Sequence, residues 1–171
     1  MSKKITKKLG YVIDTNVLCV SSGKANHIED ECIKNAVKFL LEVQRNKAVV
    51  YLDEAGEIIS EYKNKNTPLG KNGKTGDNFL LYLIQNFGNK NLVNSQIKMR
   101  KNQDGDYLDF PTDENLKKFH KKDQKFVATA RASKKDPQIV NAADRKSWEN
   151  HELHLQKYVK LKFLCKPCSP N

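Results

Sequence analysis

Tyr11-Val12-Ile13-Asp14-Thr15-Asn16 is the stretch that decides the fold. A short apolar run, Leu9 to Ile13, stops at a carboxylate followed by two small hydrogen-bonding residues, the pattern of a buried strand that ends in a turn. Working outward, the apolar positions Ile28, Cys32, Ala36, Phe39, Leu40 and Val43 recur at helical spacing between His27 and Asn46. Ala48 to Leu52 reads as a second buried strand, and Ala55 to Lys63 as a short helix. Strand, helix, strand, helix implies a parallel sheet with crossover helices.

The middle is expected to be irregular. Asn64 to Gly76 is rich in Lys, Asn and Gly and reads as an exposed loop, Phe79 to Phe87 looks helical, and Gln103-Asp104-Gly105-Asp106 carries a hairpin-turn signal. Alternation resumes with a helix from Asp123 to Ser133, a strand from Gln138 to Ala142, a helix near Lys146 to Gln156 and a strand from Tyr158 to Leu164. The expectation is one α/β domain over residues 1–171, Rossmann-like, with a central parallel sheet flanked by helices and an irregular insertion around 64–120.

The chain has 31 Lys and Arg against 20 Asp and Glu, a formal charge of +11. The arginines are only Arg45, Arg100, Arg131 and Arg145, so the excess is lysine. Lysine is a flexible point charge that suits phosphate backbones without base-specific geometry. The balance favours salt-sensitive attraction to nucleic acid, although a solvated lysine-rich surface has the same composition. No window is apolar for long enough to cross a bilayer, and Asp14 and Asn16 interrupt the segment a signal peptide would need. Four irregularly spaced cysteines do not resemble a secreted disulfide framework, so a reduced cytoplasmic protein is expected.

Asp14, Glu61, Asp123 and Asp144 stand at the start or edge of elements with apolar faces. In open parallel sheets ligands gather at the carboxyl ends of the strands, where Asp14 and Asp144 are expected. Each is also compatible with a helix cap or a turn. On the Ile58 helix, Glu61 falls ~110° and Glu57 ~150° from the centre of the apolar face, so Glu61 is expected to line a cleft and Glu57 to face water. Asp123 shares a face with Phe126, Val127 and Ala130 and is expected to point inward. Clustered carboxylates repel unless a cation neutralises them, and all-oxygen donors suit Mg²⁺ or Mn²⁺. Asn16 suits orienting a neighbouring carboxylate or water.

Four blocks resemble the PIN domain family of nucleases. They are Val12-Ile13-Asp14-Thr15-Asn16-Val17-Leu18, Ile58-Ile59-Ser60-Glu61-Tyr62, Asp123-Gln124-Lys125-Phe126-Val127-Ala128-Thr129-Ala130 and Ile139-Val140-Asn141-Ala142-Ala143-Asp144, with Trp148 as a following aromatic. The resemblance implies Mg²⁺- or Mn²⁺-dependent phosphodiester hydrolysis by an endoribonuclease acting on single-stranded RNA. It implies Asp14, Glu61, Asp123 and Asp144 as metal ligands and, with Asn16, as catalytic residues. The nucleophile would then be water, not a side chain. Lys125, Arg145 and Lys146 adjoin the acids in sequence and are candidate phosphate contacts. Two departures bear on a second metal: Asn141 stands where many members have Thr, and Lys146 where many have another acid.

The alternative is a catalytically silent PIN-like protein that binds nucleic acid or regulates, or a toxin of a toxin–antitoxin or defence system. Protein partners expected for these readings are a second copy of the chain or an antitoxin from the same operon. Other signals are set aside. Gly73-Lys74-Thr75 lacks the earlier glycine of a P-loop, where Pro68 stands. Asp104, Asp106 and Asp109 do not match a calcium loop. A zinc site from His151, His154, Cys165 and Cys168 is weaker than a buried cysteine plus a tail thiol. A phosphatase aspartate pair fails because Asn16 takes the second position.

Overall fold

The computed structural model describes residues 8–66, 73–143 and 147–165. In chain order they form β1 (Gly10–Ile13), α1 (Thr15–Ser21), α2 (Asp30–Arg45), β2 (Val49–Asp53), α3 (Glu57–Lys65), α4 (Thr75–Gln85), β3 (Val93–Ile97), α5 (Gln124–Ala132), β4 (Gln138–Asn141), α6 (Glu152–Leu155) and β5 (Lys160–Phe163). All five strands pair in parallel, in the order β3-β2-β1-β4-β5. The architecture is α/β and Rossmann-like, as the alternation of apolar runs implies.

β1 and β2 are short, apolar and flanked by strands on both sides. Each pairs with a neighbour on both edges, and α5 packs on both. The Tyr11 ring meets Phe39 of α2 edge-to-face at 5.2 Å. α1 packs against α2 and α4, and α5 packs on β1, β2 and β4. The α1–α4 crossing depends on Gly76, where an added Cβ would lie 2.1 Å from the Leu18 carbonyl oxygen. Beside it Lys24 and the buried Asp77 form a 2.6 Å ion pair. No helix among the described residues is long and apolar enough to cross a membrane.

Four expectations change. The apolar stretch after Asp14 forms the helix α1, with Thr15, Val17, Leu18, Val20 and Ser21 all buried, so it shows no amphipathic period to read. The middle contains, besides the helix α4 expected over Phe79 to Phe87, an unexpected edge strand β3, in which Val93, Ser95 and Ile97 are buried in alternation. The helix expected near 146–156 is reduced, among the described residues, to a 3₁₀ turn at Glu149–His151 and the single turn of α6. Finally, Cys32 of α2 and Cys165 after β5 form a disulfide across 133 residues, where reduced cysteines were expected.

Candidate functional site

β1 has β2 on one side and β4 on the other, so the direction of chain progress reverses at its carboxyl end. That is where a crevice opens in a parallel sheet. Asp14 leaves β1 in an extended conformation and caps α1, its Oδ1 accepting the Asn16 amide at 2.8 Å. The cap reading of Asp14 and its position at a strand end therefore hold together. The Asp14 amide donates to the Val140 carbonyl at 2.9 Å, and Asn16 Oδ1 accepts the Ala142 amide at 2.8 Å. Both bonds tie the end of β1 to the end of β4. Thr15 Oγ1 and Asn16 Nδ2 are buried without hydrogen-bond partners among the described residues.

The second strand end is supplied by Asp53, which the sequence reading passed over. Buried at the end of β2, it accepts the Glu57 amide at 2.8 Å and the Ile58 amide at 2.9 Å, and so caps α3. Its signal was available: an aspartate closing an apolar strand four residues before a helix. α3 then carries Tyr62, whose buried hydroxyl donates to the Ile13 carbonyl at the end of β1. Burial first, and then the charges of Asp14, Glu61 and Asp53, hold the Tyr62 hydroxyl well above the usual phenol range. Tyr62 therefore stays a donor, and three carboxylates act on one point beside β1.

Glu57 corrects the helix arithmetic. It does not face water: its side chain is 28% exposed against 30% for Glu61, and both line the same cleft. The turn at Asn102–Asp106 closes over it, with Gly105 at φ 81° and an antiparallel bridge between Lys101 and Tyr107. Lys101 Nζ and the Tyr107 hydroxyl both donate to Glu57, and the Lys101 ammonium sits 4.6 Å from the Tyr107 ring centroid. Burial works to raise the Glu57 pKa, but those two hydrogen bonds and the Lys101 and Lys125 charges outweigh it and hold the carboxyl below its usual range. Burial and the same hydrogen bond push the Tyr107 hydroxyl upward.

α5 brings Asp123 and Lys125. The Asp123 side chain is 16% exposed, lines the cleft and lies 4.0 Å from His120 Nδ1, so the inward expectation is met at the cleft wall and not in the core. Lys125 is buried, and its Nζ donates to Glu61 Oε2 and, at 2.6 Å, to the Lys122 carbonyl. As a candidate phosphate contact it is thus engaged with a candidate metal ligand. Below α5, Phe119 meets the buried Trp148 edge-to-face at 5.0 Å and stacks on Phe110 at 5.6 Å. The stack ties Trp148 to the segment that precedes α5.

The cleft has a volume of about 960 Å³, with Glu57, Glu61, Asp123 and Lys125 on its walls and the exposed Lys65, Lys121 and Lys122 at its edges. Asp14 is not in its lining; it is linked to Glu61 through Tyr62. Asp144, Arg145 and Lys146 lie outside the described residues. Among the described residues no three His, Cys, Asp or Glu side chains converge closely enough to hold an ion. The donor chemistry of Asp14, Glu61 and Asp123 nevertheless fits a hard divalent cation. The Lys125 ammonium against Glu61 is a stand-in cation at the same carboxylate.

The weaker candidate sites resolve into structural roles. Of the zinc candidates, Cys165 is taken by its disulfide and His151 Nδ1 is 2.7 Å from the Ser147 carbonyl, while Cys168 lies outside the described residues. Asp109 holds Arg100 through a side-chain pair at 2.7 Å and the backbone amide at 2.7 Å. Comparison with family models, curated proteins and solved structures finds no match.

Proposed function

We propose that the chain is a Mg²⁺- or Mn²⁺-dependent nuclease of the PIN-like kind, an endoribonuclease acting on single-stranded RNA. The observation that carries this reading is that Glu61 and Asp123 share the walls of one lysine-edged cleft, while Tyr62, the neighbour of Glu61, is hydrogen-bonded to the end of β1 next to Asp14. Asp14, Glu61 and Asp123 would hold the ion, and Asp144 completes the set expected from the sequence. A divalent ion so held lowers the pKa of water and stabilises the leaving oxygen of a phosphodiester. Asn16 keeps the two strand ends in register, and Tyr62 fixes α3, and with it Glu61, against β1. Lys65, Lys121 and Lys122 attract the phosphate backbone as point charges.

The test is cleavage of single-stranded RNA, single-stranded DNA and duplexes, with Mn²⁺ and with a chelator. Metal-dependent RNA cleavage supports the reading; equal rates with chelator, or no cleavage of any substrate, overturns it. A second reading is a PIN-like protein that binds RNA without cutting it. It is favoured by the engagement of Glu61 with Lys125. RNA binding without uptake of Mn²⁺ would select it. The nuclease reading carries with it a cytoplasmic location and, as its control, a second copy of the chain or an antitoxin partner.

A further inference from the structure

We propose that Lys125 is the resident counter-ion of the carboxylate site, and that a divalent cation binds there only by displacing its ammonium group from Glu61. This rests on the nuclease reading and adds to it the residue against which the ion must compete.

Lys125 is the single lysine or arginine that is buried among the described residues. Taking an ammonium out of water is costly unless an anion and further acceptors meet it. Here Glu61 Oε2 supplies the anion, the Lys122 carbonyl at 2.6 Å a second acceptor, and the Phe126 ring a face at 4.9 Å. Glu61 and Asp123 line the same cleft as Lys125 and set a negative field around it. Glu57 adds to them, because the Lys125 charge reaches it as well.

An ammonium and a hard divalent ion seek the same carboxylate oxygens, and their charges repel. Both cannot keep a close hold on Glu61. A lysine on a flexible four-carbon stem is suited to yield, and the cleft that Lys125 lines gives the displaced ammonium a polar place to remain. A purely structural bridge between α3 and α5 makes the opposite demand, since its loss would lower stability and leave ion affinity unchanged.

The experiment is a calorimetric Mn²⁺ titration of the full chain, wild type against Lys125→Gln, with Asp14→Asn as the control for the site itself. Removing the competing charge is expected to tighten Mn²⁺ binding about tenfold. Wild-type protein carrying ¹³Cε-lysine supplies a readout that does not depend on a variant folding. Its Lys125 resonance, assigned with Lys125→Arg, is expected to move as Mg²⁺ is added. Unchanged or weaker Mn²⁺ affinity in folded Lys125→Gln, or a Lys125 resonance that ignores Mg²⁺ while the wild type binds it, overturns the displacement. The nuclease reading survives that result if Asp14→Asn still abolishes binding. If neither wild type nor Lys125→Gln takes up Mn²⁺, both fall; uptake by Lys125→Gln alone supports the displacement.

Discussion

Asn16 and Ala142 are joined by a 2.8 Å hydrogen bond, from the Ala142 amide to Asn16 Oδ1, across 126 residues of chain. It closes the gap between the ends of β1 and β4, where the sheet changes direction and a ligand crevice is expected. Asn16 is thus a bracket between two strand ends, one of which carries Asp14. Asn16→Ala removes the acceptor and strands the Ala142 amide, at a cost of about 1–2 kcal/mol. Urea unfolding checks the stability and an RNA cleavage assay the activity, which is expected to fall as the strand ends separate. An unchanged unfolding midpoint would show that the bracket carries no load.

Asp14→Asn separates the two roles of that residue. Asparagine caps helices as well as aspartate does, so stability is expected to stay within about 0.5 kcal/mol of wild type. The oxygen charge that holds a cation is lost, and Mn²⁺ uptake and cleavage are expected to vanish together. Cleavage at the wild-type rate by the folded variant would sink the catalytic role.

Asp53 satisfies two amides at the start of α3, and α3 presents Glu57, Glu61 and Tyr62 to the cleft and to β1. Asp53→Ala is expected to lower stability by about 2 kcal/mol, with Asp53→Asn recovering only part of it, because its one oxygen can accept a single amide and its NH2 faces the other N–H. Denaturant titration of the two variants gives the comparison. Equal losses would mean that charge, and not capping, is what Asp53 contributes.

The Glu57 pKa is depressed in the folded chain, so the folded state holds its proton less tightly than the unfolded state does. Its contribution is present above the ordinary glutamate pKa and is lost as pH falls through the lowered folded value. Stability measured from pH 7 downward is therefore expected to fall less steeply in Glu57→Gln than in wild type over that acidic window. Superimposable profiles would remove the pairing with Lys101 and Tyr107 from the account.

The Cys32–Cys165 disulfide closes a loop of 133 residues, and disulfides typically stabilise by about 2–4 kcal/mol. Cys32→Ser is expected to lose this in oxidising buffer, and reduced wild type to match it. Coincident urea midpoints for oxidised and reduced wild type would count against the bond. The outcome also bears on location, because a cytosolic glutathione pool keeps most such pairs as thiols.

Much of the sheet was legible because local chemistry is enough for a central strand. Tyr11 to Ile13, Val49 to Leu52 and Ile139 to Val140 are apolar runs that end in turn or capping residues, and a parallel strand covered on both faces needs little else. Val93–Ile97 escaped because an edge strand buries only alternate residues, and Asn94 and Gln96 dilute its signal. Asp14 and Asp123 were legible as candidates for the same local reason, since each stands where a helix begins. Their partners were not. Helical angle measured Glu57 and Glu61 against the apolar face of α3 alone, whereas the 101–107 turn, remote in sequence, covers Glu57 and gives it the same exposure as Glu61.

Lys125 read as a phosphate contact because its neighbours in sequence are charged, yet α5 is buried continuously from Lys125 to Ala130 and turns the ammonium onto Glu61. Residue order along the chain was thus sufficient for the central strands and for the carboxylate that caps α1. Which carboxylate meets which cation rests on the strand order β3-β2-β1-β4-β5, because that order brings residues 14 and 140, 57 and 107, and 61 and 125 together. Contacts across such separations are settled by packing of the whole sheet, which no local pattern encodes.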